Sequence, residues 1–167
     1  MPNCRASEAL AGFATPVPIP RFEEFQTVMR LGLRYSSEHF MLHCAPRQGA
    51  GTQRGLSSHS DKQPNRIGAL LPKRWAKKAV RRNALRRQIY ALARQRLPLL
   101  AQTAGQPLDC VVRLRAAWPA AAFVSASSPV FKQSVESELA ALFTLAQGKI
   151  RPFTPFDAQQ PTGAAKV

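Results

Sequence analysis

Residues 66–87 read RIGALLPKRWAKKAVRRNALRR, and this stretch decides the fold that the sequence predicts. Its first six residues are a short, mostly apolar run, which is typical of a buried strand. Downstream, Leu85, Ile89 and Leu92 recur at intervals of four and three residues. That spacing predicts one apolar face on a long helix over 77–97. A strand followed directly by a long helix is expected in an α/β domain.

Other periodic segments flank this unit. Phe22, Phe25, Val28 and Met29 follow a helical spacing, whereas HFMLHCA alternates in the manner of a strand. In HFMLHCA, the alternation puts Phe40, Leu42 and Cys44 on one face and Met41 and His43 on the other. The predicted elements outside residues 66–97 are a helix at 21–31, strands at 39–45 and 108–114, and a closing helix at 130–146.

Prolines and small polar residues predict where the regular structure of the domain ends. Pro98 is expected to end the long helix, because proline has no N–H to donate. Prolines at positions 2, 16, 18 and 20 predict a flexible tail over 1–20. Residues 46–65 are rich in Gly, Ser, Gln and Pro, which predicts a long mobile loop, and 148–167 are expected to be a disordered tail. One domain over 21–147 remains.

The chain is strongly basic, and its charge is uneven. It carries a formal net charge of +15. Between Lys62 and Leu108 lie twelve of its 24 basic residues and no Asp or Glu. Such a field attracts polyanions, either nucleic acid or an anionic membrane. No stretch approaches the roughly 20 apolar residues that span a bilayer, and the first residues do not resemble a signal peptide. Three cysteines, an odd number, favour a reducing cytoplasm.

The basic helix is expected to contact RNA. Like charges one turn apart cost a few tenths of a kcal/mol each, and phosphates placed between them reverse that cost. Asn83 is uncharged and can both donate to and accept from a base edge, a 2′-hydroxyl or a hydrated metal. The alternatives are a basic face that only confers solubility, and an exposed Asn83 without a role.

Three blocks of this sequence resemble the family of the bacterial ribonuclease P protein component. The family has a strand that begins Arg-x-Gly, a basic pair, and a helix with Ala-Val-x-Arg-Asn. Here these are Arg66 to Gly68, then Lys73 with Arg74, then residues 79–87. FEEFQTVMRLGLRYSSEHFMLHCAP is similar to the family's first helix and strand, and LDCVVRLR to its late strand. The resemblance covers about residues 21–146. Ala84 and Tyr90 stand where the family often has arginine.

The resemblance implies an α/β fold, an α+β two-layer sandwich of the kind seen in a ribosomal-protein domain. The implied order is α-β-β-β-α-β-α, with a left-handed β-α-β crossover around the basic helix. Right-handed crossovers predominate in general, so the left hand follows from the resemblance alone.

The resemblance also implies the function: a protein subunit that assists a catalytic RNA in cutting the 5′ leader from precursor tRNA. The implied RNA-binding residues are Arg66, Lys73, Arg74, Lys77, Lys78, Arg81, Arg82, Asn83, Arg86 and Arg87. Phe25, Met29 and His43 match the family's leader-binding cleft, although core packing is the alternative for Phe25 and Met29. Mg²⁺ is expected as a cofactor bound mainly by the RNA. The expected partners are that RNA and precursor tRNA, with no membrane and no obligate protein partner.

No protein active site is expected. His39, His43 and Cys44 are residue types that bind zinc, but strand alternation turns Cys44 away from the two histidines and no second cluster completes four ligands. Two other functions explain the charge: a ribosomal or chaperone-type RNA-binding protein, and a protein that binds a membrane or cell-wall polyanion. The latter would need an apolar stripe facing lipid, whereas the basic helix needs its stripe for the core.

Overall fold

The computed structural model describes residues 15–47, 64–119, 125 and 128–152. Within them the chain forms a five-stranded sheet and three helices. In chain order the elements are β1 (Val17–Pro18), α1 (Phe22–Leu31), β2 (Leu33–Ser36), β3 (Phe40–Pro46), β4 (Arg66–Leu70), α2 (Ala79–Ala104), β5 (Leu108–Leu114) and α3 (Pro129–Lys149). The predicted order α-β-β-β-α-β-α is confirmed, and one short strand precedes it.

The sheet has the strand order β1-β4-β5-β3-β2. β3 pairs antiparallel with β5 over seven positions, from Phe40 opposite Leu114 to Pro46 opposite Leu108. β4 lies parallel to β5 on its other side, and α2 connects the two strands. This is the β-α-β crossover that the resemblance implies, and its left hand stays a prediction.

Helices cover both faces of the sheet. Phe40, Leu42 and Cys44 of β3 belong to the main core, which they share with α2 and α3. Ala45 and Val111 point the opposite way, into a smaller cluster with Val28 of α1. The predicted alternation in β3 and the mixed α/β class are therefore confirmed. The arrangement has a third layer beyond the predicted two, because α1 packs on the face of the sheet opposite α2 and α3.

The prediction that Pro98 ends the long helix was wrong. Pro98 is buried inside α2, and the helix continues to Ala104 before Gly105 ends it in a left-handed conformation. The missing N–H of proline costs one backbone hydrogen bond. Beyond it, Leu100, Ala101 and Ala104 are almost completely buried. Their burial in the main core offsets the lost bond, since most helical stability in proteins comes from tertiary packing.

The N-terminal tail prediction was also wrong for its last residues. Val17 and Ile19 donate their backbone N–H groups to Asn65 and Ile67, over 2.9 and 3.1 Å, so that β1 lies parallel to β4. The residues that alternate with them, at positions 16, 18 and 20, are prolines. In a strand those positions point their backbone away from β4, where no N–H is needed. Proline is thus compatible with an edge strand and also protects that edge from further pairing.

The C-terminal boundary lies later than predicted. α3 runs through Gly148 to Lys149, and the next residue, Ile150, is only 4% exposed. Ile150 extends the main core, which explains why the helix continues past a glycine. The rest of the predicted tail, residues 153–167, lies outside the described residues, as do 1–14 of the N-terminal tail and 48–63 of the predicted loop. None of the helices that the structure describes is long and apolar enough to cross a membrane.

Candidate RNA interface

The N-terminal end of α2 carries the wrong charges for a helix that stands alone. A helix N-terminus is the positive end of the helix dipole and is normally capped by Ser, Thr, Asp or Asn, with acidic residues in the first turn. α1 has Glu23 and Glu24 there, and Ser128 caps α3. α2 instead follows Lys78, whose side chain makes no capping hydrogen bond, and its first turn has no acidic residue. The positive end of the helix dipole is therefore not balanced by an acidic or capping side chain in its first turn.

Arg82 shapes the chain just before this helix. Its Nη1 donates to the backbone carbonyls of Ala76 and Lys77 over 2.8 and 2.7 Å. Ala76 is itself buried in the main core. The guanidinium therefore holds the entry to α2 in place, close to the two lysines that follow Ala76. Arg82 was predicted to contact RNA, and its side chain is already engaged within the chain.

Apart from Arg66, the remaining residues predicted to bind RNA lie on α2 and in the turn before it. Leu85, Ile89 and Leu92 point into the core, as predicted. Arg81 is half-buried, with its guanidinium 5.0 Å from the centre of the Phe131 ring. The exposed members, which we call the basic surface, are Lys73, Arg74, Lys77, Lys78, Asn83, Arg86 and Arg87.

Arg66 lies apart from the basic surface and has intramolecular partners. It donates to both carboxylate oxygens of Asp109 over 2.8 and 2.6 Å, and to Glu24 of α1 over 2.8 Å. These contacts lower the pKa of the Glu24 carboxyl, chiefly through the hydrogen bond from Arg66. The side chains of Arg66 and Asp109 are 14% and 6% exposed. Arg66 thus joins β4, β5 and α1, and we leave it out of the basic surface.

The three residues predicted to form the leader cleft meet where α1 crosses the sheet. The Phe25 ring packs directly on Gly68. A Cβ on residue 68 would lie only 2.4 Å from the ring, so there is no room for a side chain. Met29 is half-buried in the same cluster. His43 is only 3% exposed, and burial, with Arg34 and Arg113 nearby, lowers its pKa to about 4, although the Met29 carbonyl opposes the shift. The imidazole is therefore neutral at physiological pH.

Beyond α1 the same face of the sheet stays partly open. Strand register places Met41 opposite Arg113 and Leu70 next to Arg113, and all three side chains are half-exposed. Arg34 pairs with His43 in the neighbouring row. The Nε atom of Arg113 is buried without a hydrogen-bond partner in the part of the chain that the structure describes. We call the surface formed by Phe25, Met29, Arg34, Met41, Leu70 and Arg113 the sheet cleft.

Sequence reasoning missed Arg34, Met41 and Arg113 as members of this surface. Alternation could have placed Arg113, since it lies two residues after the inward-facing Val111. Which strand lies beside β5 is decided by the tertiary structure, however. Residue spacing therefore could not predict that Arg113 lies near Met41 and Arg34.

His39 has a structural environment. Its Nδ1 lies 2.9 Å from Glu138 of α3, and its ring stacks on Trp118 with centroids 4.2 Å apart. Glu138 also accepts the backbone N–H of His39 and the hydroxyl of Ser37, each over 2.6 Å. Across the described ranges no group of three or more His, Cys, Asp or Glu side chains is placed to hold a metal ion.

Comparison with known proteins identifies the family. The family model Ribonuclease P matches residues 16–140. The chain belongs to the ribonuclease P protein family. Among its relatives, the ribonuclease P protein component of Ralstonia pickettii is 29% identical over 147 residues, covering 88% of this chain and 91% of the relative. That of Nostoc sp. is 34% identical over 126 residues, covering 70% and 84%.

Solved structures agree on the fold. The RNase P protein of Staphylococcus aureus superposes with a TM-score of 0.50 at 16% identity, covering 80% of this chain and 95% of that one. The predicted family and fold class are thus confirmed, and the chain is a protein component of a ribonucleoprotein endoribonuclease that processes tRNA. The ribosomal or chaperone-type alternative is not favoured.

Proposed function

We propose that this chain docks onto the catalytic RNA of ribonuclease P and holds the single-stranded 5′ leader of precursor tRNA while the RNA cuts it. The observation that carries the proposal is the uncapped, acid-free N-terminal end of α2, where the helix dipole and the basic surface act in the same direction. In the free protein these charges repel one another. The phosphates of a folded RNA neutralise these positive charges, and binding releases the counterions that were condensed on the RNA.

Docking is assigned to the basic surface. Lys77, Lys78, Arg86 and Arg87 are exposed and can reach phosphates. Asn83 lies among them and offers hydrogen bonds that a cation cannot, to a base edge or a 2′-hydroxyl. Arg82 supports this surface by fixing the entry to α2.

Leader binding is assigned to the sheet cleft. Single strands are held by flat or polarizable side chains beside a positive groove. Phe25, Met29 and Met41 supply the former, and Arg34 and Arg113 the latter. Among the described residues the Nε of Arg113 has no hydrogen-bond partner. This supports the assignment, since a buried donor without a partner is costly until a ligand accepts from it. A neutral His43 adds no charge but can donate or accept one hydrogen bond.

The catalytic centre is assigned to the RNA, and the reaction needs Mg²⁺ held mainly by RNA phosphates. Mg²⁺ prefers oxygen ligands and keeps several waters, whereas the basic surface offers cations and one amide. The protein's contribution there is to neutralise backbone charge, so that closely packed RNA strands and their magnesium ions are tolerated. We assign the protein to the cytoplasm, and the free thiols of Cys44 and Cys110 suit a reducing compartment.

The test is reconstitution with the ribonuclease P RNA from the same genome. The protein alone should leave precursor tRNA intact. With the RNA at low magnesium, it should restore cleavage at the mature 5′ end, and the complex should bind precursor tRNA more tightly than mature tRNA. Cleavage by the protein without RNA would overturn the assignment of catalysis to RNA.

Substitutions separate the two surfaces. Lys77→Gln with Arg87→Gln should weaken assembly with the RNA, while preference for precursor over mature tRNA is retained once the complex has formed. Arg113→Gln should do the reverse. Lys149→Gln, at the exposed end of α3, is the matched control for lost positive charge. If Arg113→Gln left the preference for precursor tRNA unchanged, the leader would have to lie elsewhere.

A further inference from the structure

A cleft between the edge of the sheet and α2 adjoins the basic surface and shares Arg86 and Arg87 with it. Its volume is about 410 Å³, within the range of small-molecule sites. Pro16 and Pro18 of the edge strand and Ile67 of β4 form an apolar wall. The opposite wall is the half-buried Tyr90 of α2. The cleft thus places a flat aromatic ring across from rigid proline rings.

Three guanidinium groups surround this apolar slot. Arg86, Arg87 and Arg94 line the cleft, and all three are exposed. No carboxylate lines the cleft, α2 contains no Asp or Glu, and no ion pair to these arginines is present among the described residues. Arg86 lies close enough to Tyr90 to oppose the rise in its pKa that burial causes. The complementary ligand is flat and apolar in one part and polyanionic in the other.

We propose that this cleft takes one unpaired nucleotide of the ribonuclease P RNA, with the base stacked on Tyr90 and the flanking phosphates on Arg86, Arg87 and Arg94. The proposal rests on the proposed function, since it adds a specific contact to the docking of that RNA. A nucleotide fits this chemistry because every base has a face that stacks on an aromatic ring, and backbone phosphates follow at both sides.

The position of the cleft favours RNA over a free small molecule. Arg86 and Arg87 belong to both the basic surface and the cleft, so that an RNA bound at the start of α2 passes the slot without a gap in positive charge. The β1 strand supplies the second wall, and it lies on the opposite edge of the sheet from β2. The cleft therefore binds the RNA strand about two to four turns beyond the start of α2.

Binding of the full-length protein to the ribonuclease P RNA, without tRNA, tests this contact. Tyr90→Ala should weaken binding by about 5- to 100-fold, which corresponds to the loss of one stacked base. Tyr90→Phe should retain wild-type affinity, since the ring stays. Neither change should alter the salt dependence, because no phosphate contact is lost, whereas Arg94→Gln should lower the salt slope by about one. Phe22→Ala, which removes a ring that is 63% exposed on α1, is the matched control.

The position of the contact is read by ultraviolet crosslinking of the complex and mass spectrometry. We expect a nucleotide adduct on Tyr90 in the wild-type complex with the ribonuclease P RNA and none on the same peptide of the Tyr90→Ala complex. Equal affinity of Tyr90→Ala and Phe22→Ala would overturn the proposal, as would tighter binding of free AMP or UMP than of the RNA. Failure of the wild-type protein to bind the RNA is a different result, and it would overturn the proposed function itself.

Discussion

Arg66 is the residue whose role changed most between sequence and structure. Its motif position predicted an RNA contact, but two carboxylates from other elements accept all the hydrogen bonds that its guanidinium makes in the described structure. Asp109 is only 4% exposed. Removing one partner of a buried carboxylate–guanidinium pair destabilises the fold, because the other charge is left buried without compensation. Arg66 therefore holds α1 over the sheet, and we expect any effect of Arg66 on RNA binding to be indirect.

Removing the charge of Asp109 should expose this dependence. Asp109→Asn should lower the free energy of unfolding by about 3 kcal/mol, because it leaves a mostly buried guanidinium with one carboxylate at the edge of the core. Urea denaturation measures the change. Glu23→Gln, on an exposed residue of α1, should change stability by less than about 0.5 kcal/mol. Similar losses in the two variants would show that the ion pair contributes no specific stability.

His43 makes the stability of the protein depend on pH. Its pKa is about 4 in the folded state against an ordinary value of 6.5. Above pH 6.5 the ring is neutral in both states and costs nothing. As the pH falls from 6.5 to about 4, the unfolded chain binds a proton that the folded chain does not, so stability is lost over that window.

The loss should reach about 3 kcal/mol, at about 1.4 kcal/mol for each pH unit of the shift. Urea denaturation at pH 7 and pH 4 should show a decrease for the wild type that is larger by this amount than the decrease for His43→Leu. Because all other groups titrate alike in the two proteins, the difference isolates His43. Parallel decreases would mean that His43 titrates normally in the folded protein.

At the scale of elements, the contact of α1 with the sheet depends on a glycine. The Phe25 ring occupies the space above Gly68 that any side chain would need. Gly68→Ala should therefore lower the free energy of unfolding by about 1–3 kcal/mol through overpacking, and it should displace α1 and weaken leader binding. Gly148→Ala is the matched control. Its Cβ would meet nothing within 4 Å, and alanine inside α3 should stabilise the helix by about 1 kcal/mol. Denaturation of both variants gives the two signs.

At the start of α2, we expect the stability of the helix and the affinity for RNA to favour opposite charges. Lys78→Asp would supply the missing N-cap and a charge that suits the helix dipole, so it should raise the free energy of unfolding by about 1 kcal/mol. The same change should weaken assembly with the ribonuclease P RNA at moderate salt. Lys132→Asp, in the first part of α3, should leave assembly unchanged. If Lys78→Asp stabilised the protein without weakening assembly, the end of α2 would not contact RNA.

For the whole molecule, charge and fold act together. The net charge of +15 explains attraction to any polyanion, whereas the fold decides where that attraction acts. The affinity for the ribonuclease P RNA should therefore fall steeply as salt rises. Lys77→Gln and Arg87→Gln should each lower the slope of log affinity against log salt by about one, and Lys149→Gln should not. Equal slopes for all three variants would mean that the charge acts only as a diffuse field.

Much of the fold could be predicted from the sequence because the residue patterns that specify it are local. The apolar stripe of Leu85, Ile89 and Leu92 predicted α2, and alternation predicted the two faces of β3. The errors came at Pro16 to Pro20, Pro98 and Gly148, where a residue type that usually breaks regular structure is overruled. At each of these places burial of neighbours such as Ile19, Leu100 or Ile150 offsets the local cost.

By itself, the sequence determined the three helices and the longer strands, the basic character of the 62–108 region and, through three blocks in register, the family. These depend on neighbours within a few turns of the chain, which spacing can reveal. Only the tertiary structure decided that Arg66 pairs with Asp109 and Glu24, that Arg113 shares a face with Met41, and that an N-terminal strand closes a cleft beside Tyr90. Each of those contacts joins residues that are far apart in the chain, and their meeting is set by the order of strands in the sheet.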